Sequence, residues 1–201
     1  MTAEKLTTIA YQYFPKGIDN RAEHDRYVTS AEFKNLSNHC ITIFNKEQNG
    51  DFDNFYDRIR LLDTSKNFHN AALFHWNDRC YNVQLAELIG DKHYSVCLNV
   101  SVIVPFYLVY VLETTLTDTT NEPGSFGIPR FTKPVINTEK ASDYKMLMQQ
   151  MASVAESYFN VKPFPEELLN DVISDLTLED IKLGALTFFN AFFLDKYEIR
   201  I

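Results

Sequence analysis

The sequence predicts an α+β fold: an antiparallel β-meander of about three to five strands packed against N-terminal and C-terminal helices. Three observations predict it. Apolar residues recur at helical spacing before residue 63 and after residue 141. Between Cys80 and Leu116 they recur every second residue instead, the period of a strand. The breaks between those alternating runs are short, which suits antiparallel neighbours rather than βαβ crossovers. One domain is expected over 1–201: helical over 1–63, a β-meander over 72–116, a loop over 117–140 and helical again over 141–195.

Taken in order, 2–13 reads as a short helix with Leu6, Ile9, Ala10 and Tyr13 on one side, ended by Pro15 and Gly17. The segment 19–27 is charged and reads as exposed. Thr29-Ser30-Ala31-Glu32 resembles a capping box. Phe33, Leu36, Cys40, Ile43 and Phe44 then mark a helix that stops near Asn49-Gly50. Phe52, Phe55, Ile59 and Leu62 predict another over 53–62. Residues 64–70 read as polar loop and 72–76 as a short strand. Alternation predicts a half-buried strand from Cys80 to Glu87, a second over 93–103 and a third over 106–116, with Pro105 forcing a bend. Tyr144, Leu147, Met148, Met151, Val154, Ala155 and Tyr158 form a helical stripe. Helices are expected over 166–174 and 178–194, the latter capped by Thr177, and a terminal edge strand over 196–201.

Sixteen Phe, eleven Tyr and one Trp, with 45% apolar residues, give ample material for a core without disulfides. The charge is −8, from 27 acidic and 19 basic residues, which disfavours a phosphate-binding face and hence a nucleic-acid partner. The opening residues lack a basic segment followed by an apolar one, and the most apolar stretch, 96–112, is interrupted by Asn99, Ser101 and Pro105. The expectation is therefore a cytoplasmic protein with no membrane partner. Cys40, Cys80 and Cys97 have neither disulfide nor zinc spacing and read as buried, reduced thiols.

No nucleophile elbow, His-Glu-x-x-His, Cys-x-x-Cys or phosphate-binding glycine loop occurs, so no catalytic residue, metal or cofactor is expected. His69, His75 and Asp78 flank a possible strand but fix no coordination geometry. The unusual feature is acidic. Glu166, Glu167, Asp171, Asp175, Glu179 and Asp180 fall within 166–180, a stretch without Lys or Arg. Glu166 and Glu167 suit a helix N-terminus. Asp171 and Asp175, four apart, would repel on a shared helix face, which points to solvated surface or an acidic binding patch.

Two further blocks carry a resemblance. Tyr11-Gln12-Tyr13-Phe14-Pro15-Lys16-Gly17-Ile18, followed by Tyr27 and Ser30-Ala31-Glu32-Phe33, is similar to the openings of small bacterial immunity proteins. Asp78-Arg79-Cys80-Tyr81 and Val102-Ile103-Val104-Pro105-Phe106-Tyr107 resemble them as well. The likeness covers about the first 110 residues and implies a protein of interbacterial competition that binds and occludes a cognate toxin. The expected partner is a toxin, of basic character, met by Asp171, Asp175, Glu179 and Asp180, with Phe126 as an aromatic anchor. The alternatives are a hydrolase using His75, Asp78 and Cys80, and a homo-oligomeric structural protein.

Overall fold

A computed structural model describes residues 1–74, 78–117, 130–179 and 181–196. The chain opens with four helices: α1 (Ala3–Ala10), α2 (His24–Thr29), α3 (Ala31–Gln48) and α4 (Asp53–Arg60). Thr2 caps α1 and Ser30 caps α3, its hydroxyl accepting the Phe33 N–H at 3.1 Å. The cap of α3 is thus Ser30 rather than Thr29. Gly50, at φ +78, turns the chain between α3 and α4, as the Asn49-Gly50 dipeptide predicts. The segment expected to be exposed contains α2, whose Tyr27 is fully buried and donates its hydroxyl to the Thr177 carbonyl at 2.8 Å.

The strands that follow are β1 (Asn67–Asn70), β2 (Cys80–Ile89), β3 (Lys92–Ser101), β4 (Phe106–Thr117), β5 (Arg130–Phe131) and β6 (Val135–Ile136). Helix α5 (Lys145–Phe159) leads to β7 (Lys162–Pro163), β8 (Val172–Ile173), β9 (Leu186–Thr187) and α6 (Phe188–Phe192). Strands β1 to β4 form the expected antiparallel meander, in that order, and β5, β6 and β7 cover separate stretches of the far edge of β4. Among the described residues only β7 runs parallel to its neighbour. Strands β8 and β9 make a separate antiparallel pair.

Register assigns the two faces. Tyr81 pairs with Val100, Val83 with Leu98 and Leu85 with Val96. These side chains join Phe55, Tyr56 and Ile59 of α4 and Leu147, Met151 and Ala155 of α5 in one apolar cluster. Aromatic edges lock it: Phe55 meets Phe159 at 4.9 Å and Phe74 meets Tyr81 at 5.0 Å, both T-shaped. On the opposite face Cys80 and Leu108 join a second cluster with Leu6 and Ala10 of α1, Leu36 and Cys40 of α3, and the C-terminal run from Phe188 to Leu194. The sheet is therefore a middle layer. Its central strands are buried on both faces, not half-buried as alternation alone suggests.

Four expectations are corrected. The first short strand is at Asn67–Asn70, where Phe68 and His69 continue the ladder of β2; of the strand expected over 72–76, residues 72–74 are irregular, with Phe74 at φ +47, and 75 and 76 lie outside the described residues. The stretch expected to be loop contains β5, β6 and a 3-10 turn at Lys140–Ser142 in its described part. The helix expected over 166–174 is only a 3-10 turn, Glu166–Leu168, followed by β8, where β-branched Val172 and Ile173 favour the extended chain. The last helix shrinks to Phe188–Phe192, capped by Thr187 and Asn190 rather than Thr177. Gly184 at φ +80 stops any helix over 178–187. The expected terminal strand lies, beyond Lys196, outside the described residues.

Candidate functional site

The acidic segment runs through the 3-10 turn, β8 and irregular chain, so Asp171 and Asp175 do not share a helix. Asp171 and Asp175 flank β8. Asp171 is exposed, and its carbonyl accepts the Phe188 N–H at 3.1 Å. Asp175 is a bracket to the N-terminal segment. Both its carboxylate oxygens accept the Tyr11 hydroxyl, at 2.9 and 3.0 Å, and Lys16 Nζ stands 3.0 Å away. The same ammonium lies 4.7 Å from the Tyr11 ring centre. Burial disfavours the Asp175 charge, but Lys16 and Tyr11 outweigh it and hold the carboxyl below its ordinary value. Glu179 occupies a tight turn at φ +37, closed by the Ile181 N–H on the Leu178 carbonyl at 2.7 Å. Asp180 and Phe126 lie outside the described residues.

What the sequence does not disclose is a groove beside these acids. Two hollows, of about 360 and 430 Å³, share Val109 of β4, Met148 of α5 and Glu166. Their apolar walls come from Ala152, Phe164 and Leu169. Lys145 stands on the α5 rim and exposed Glu166 on the other, with exposed Glu167 next to it in the chain. Among the described residues, none of Glu166, Glu167, Asp171 or Lys145 is in an ion pair. The groove exists because Pro163 and Pro165 carry the chain away from β4 just after β7, a turn the sequence marks but whose target it does not reveal.

No family model, no curated protein and no solved structure matches the chain.

The remaining polar residues are structural supports. On the face of the sheet turned to α1 and α3, Gln84 donates to Asn82 at 3.2 Å, Ser95 donates to Gln84 at 3.1 Å and Asn99 Nδ2 reaches Cys80 Sγ at 3.2 Å. This ladder is wholly buried and satisfies its polar groups only in part: among the described residues Asn82 Nδ2 and Asn99 Oδ1 have no hydrogen-bond partner. At its end Arg79, fully buried, donates to Asp195 at 2.7 Å and to the Asn190 carbonyl. That pair ties the start of β2 to the C-terminal segment. All three thiols are buried. Burial pushes Cys40 up to about 11 and Cys97 up to about 12, so neither is a thiolate at neutral pH.

The hydrolase alternative gathers only in part. Asp78 and Cys80 are adjacent and buried, with Asp78 accepting the Leu73 N–H at 2.9 Å, while His75 lies outside the described residues. His69 sits on β1, opposite Gln84. Among the described residues no three His, Cys, Asp or Glu side chains are placed to hold a metal ion. None of their helices is long and apolar enough to cross a membrane.

Proposed function

We propose that this chain is a non-catalytic binding protein of the immunity type, which neutralises a cognate bacterial toxin by covering its working surface. In this reading it acts in the cytoplasm of the cell it protects, on a basic partner. The observation that supports it is an apolar groove lined by exposed, unpaired Glu166, with exposed Glu167 and Asp171 following it within five residues of chain. A charged rim around an apolar centre is the anatomy of a protein interface. The net charge of −8 adds long-range attraction for a basic partner and speeds its encounter. Asp175 leaves the set of direct contacts, since Tyr11 and Lys16 already occupy it.

The test is co-purification with the product of the adjacent gene, together with survival of cells that express that product. A complex and protection are expected, both weakened by the paired substitution Glu166→Lys and Glu167→Lys. Neither complex nor protection would end the proposal.

A further inference from the structure

Among the described residues, strand β4 is covered along its outer edge except at one place. Its even-numbered residues turn their backbone groups to β3, as the Leu116 N–H shows by donating to the Asp91 carbonyl at 2.7 Å. Its odd-numbered residues face outward. The Tyr107 carbonyl accepts the Phe164 N–H at 2.9 Å, the Val111 carbonyl accepts the Asn137 N–H at 2.9 Å and the Thr115 carbonyl accepts the Thr132 N–H at 2.9 Å. Val109 is the odd residue between the first two. Among the described residues no group bonds its outward N–H or C=O. Those two backbone groups open into the groove, since Val109 lines both hollows. Sheets usually cover such edges, and a half-buried donor and acceptor without partners is a standing site for pairing.

We propose that this notch takes a protruding, extended loop of the protein partner, one of whose residues pairs its own N–H and C=O with Val109. The proposal rests on the binding function above for the source of the loop, and adds where and how it docks. Size sets the occupant. From Tyr107 to Val111 the edge spans about 14 Å at strand rise, so about three extended residues fit between β7 and β6. The same recess excludes a second copy of β4, whose own edge is sunk between the same two strands. Charge sets the sequence. The residue opposite Val109 places its side chain on the α5 side, against Met148. Its two neighbours point to the other side, toward Leu169 and the unpaired carboxylate of Glu166. A basic–apolar–basic tripeptide segment meets all three demands.

The experiment titrates the ¹⁵N-labelled full chain with Ac-Lys-Val-Lys-NH2 and follows backbone amides and Met148. The expected result is a shift at Val109 and Met148. Ac-Glu-Val-Glu-NH2 and the analogue with N-methylvaline should bind at least tenfold more weakly, the first for charge and the second for its missing N–H. Val109→Pro removes the outward donor without touching the ladder to β3 and should abolish the shift. Should that variant fail to fold, the N-methyl comparison still decides. Equal binding of the N-methyl analogue, shifts confined to other surfaces, no shift at millimolar peptide, or a self-association that Val109→Pro abolishes would each overturn the notch. A toxin complex that protects cells but leaves exchange at Val109 unchanged would overturn it while sparing the proposed function. Peptide binding at Val109 without toxin neutralisation would do the reverse.

Discussion

Asp175 and Asp195 both face a cation, yet their carboxyls move in opposite directions. Asp175 is 27% exposed, and its partners Lys16 and Tyr11 outweigh burial and lower it. Asp195 is raised, because burial exceeds the attraction of Arg79. The pH consequences follow in sign. The Asp175 contribution is complete above its ordinary value of 3.8 and is lost as pH falls through its lower folded value. The Asp195 contribution is complete below 3.8 and is lost as pH rises through its higher folded value. The stability gap between the wild type and Asp175→Asn should therefore shrink in acid, and that between the wild type and Asp195→Asn should not; urea titrations at several pH values measure both. Asp175→Ala should cost about 1–2 kcal/mol, the worth of hydrogen bonds to a charged group. Arg79→Ala should cost more, about 3–5 kcal/mol, because it strands a largely buried carboxylate. Denaturant midpoints order the two.

At the scale of elements, legibility followed local rules. Helices α3, α4 and α5 and strands β2, β3 and β4 lie within a few residues of their expected bounds, since each carries its own periodicity or turn signal. The C-terminal third was misread where apolar content stood in for periodicity. The run Phe188-Phe189-Asn190-Ala191-Phe192-Phe193 is buried on all sides by α1, α3 and β4, a demand that tertiary packing makes and that one short helix satisfies. The groove was illegible for the same reason: Val109, Met148 and Glu166 are distant in sequence, and no local pattern joins them. Gly184 is the position that ends helix formation there. A Cβ on it would stand 3.0 Å from the Ser174 carbonyl oxygen at φ +80. Gly184→Ala should destabilise by about 1–2 kcal/mol in thermal melts, against the small gain Ala brings in a permitted conformation. Thr187→Ala, which removes the hydroxyl half of a capping box and leaves the backbone N–H half to Asn190, should cost about 1 kcal/mol.

For the whole molecule the acidic balance makes a kinetic statement. If the partner is basic, the association rate should fall as salt rises while dissociation changes little, a pattern stopped-flow mixing at several ionic strengths resolves. Topology makes another. Four polar links among the described residues clamp the first thirty residues to the last thirty described: Tyr27 to the Thr177 carbonyl, Gly17 to the Asp175 carbonyl, and Tyr11 and Lys16 to the Asp175 carboxylate. Helices α1 and α3 shelter one side of the sheet together with Phe188 to Leu194. On a ribosome, then, this early-made layer can rest on Cys80, Phe106 and Leu108 of the sheet, but it lacks the cover of Phe188 to Leu194 until residue 194 leaves the exit tunnel. Until then Leu6, Phe14 and Leu36 are covered on one side alone, and the closing of their cluster should come late, set by the joining of segments far apart in the chain.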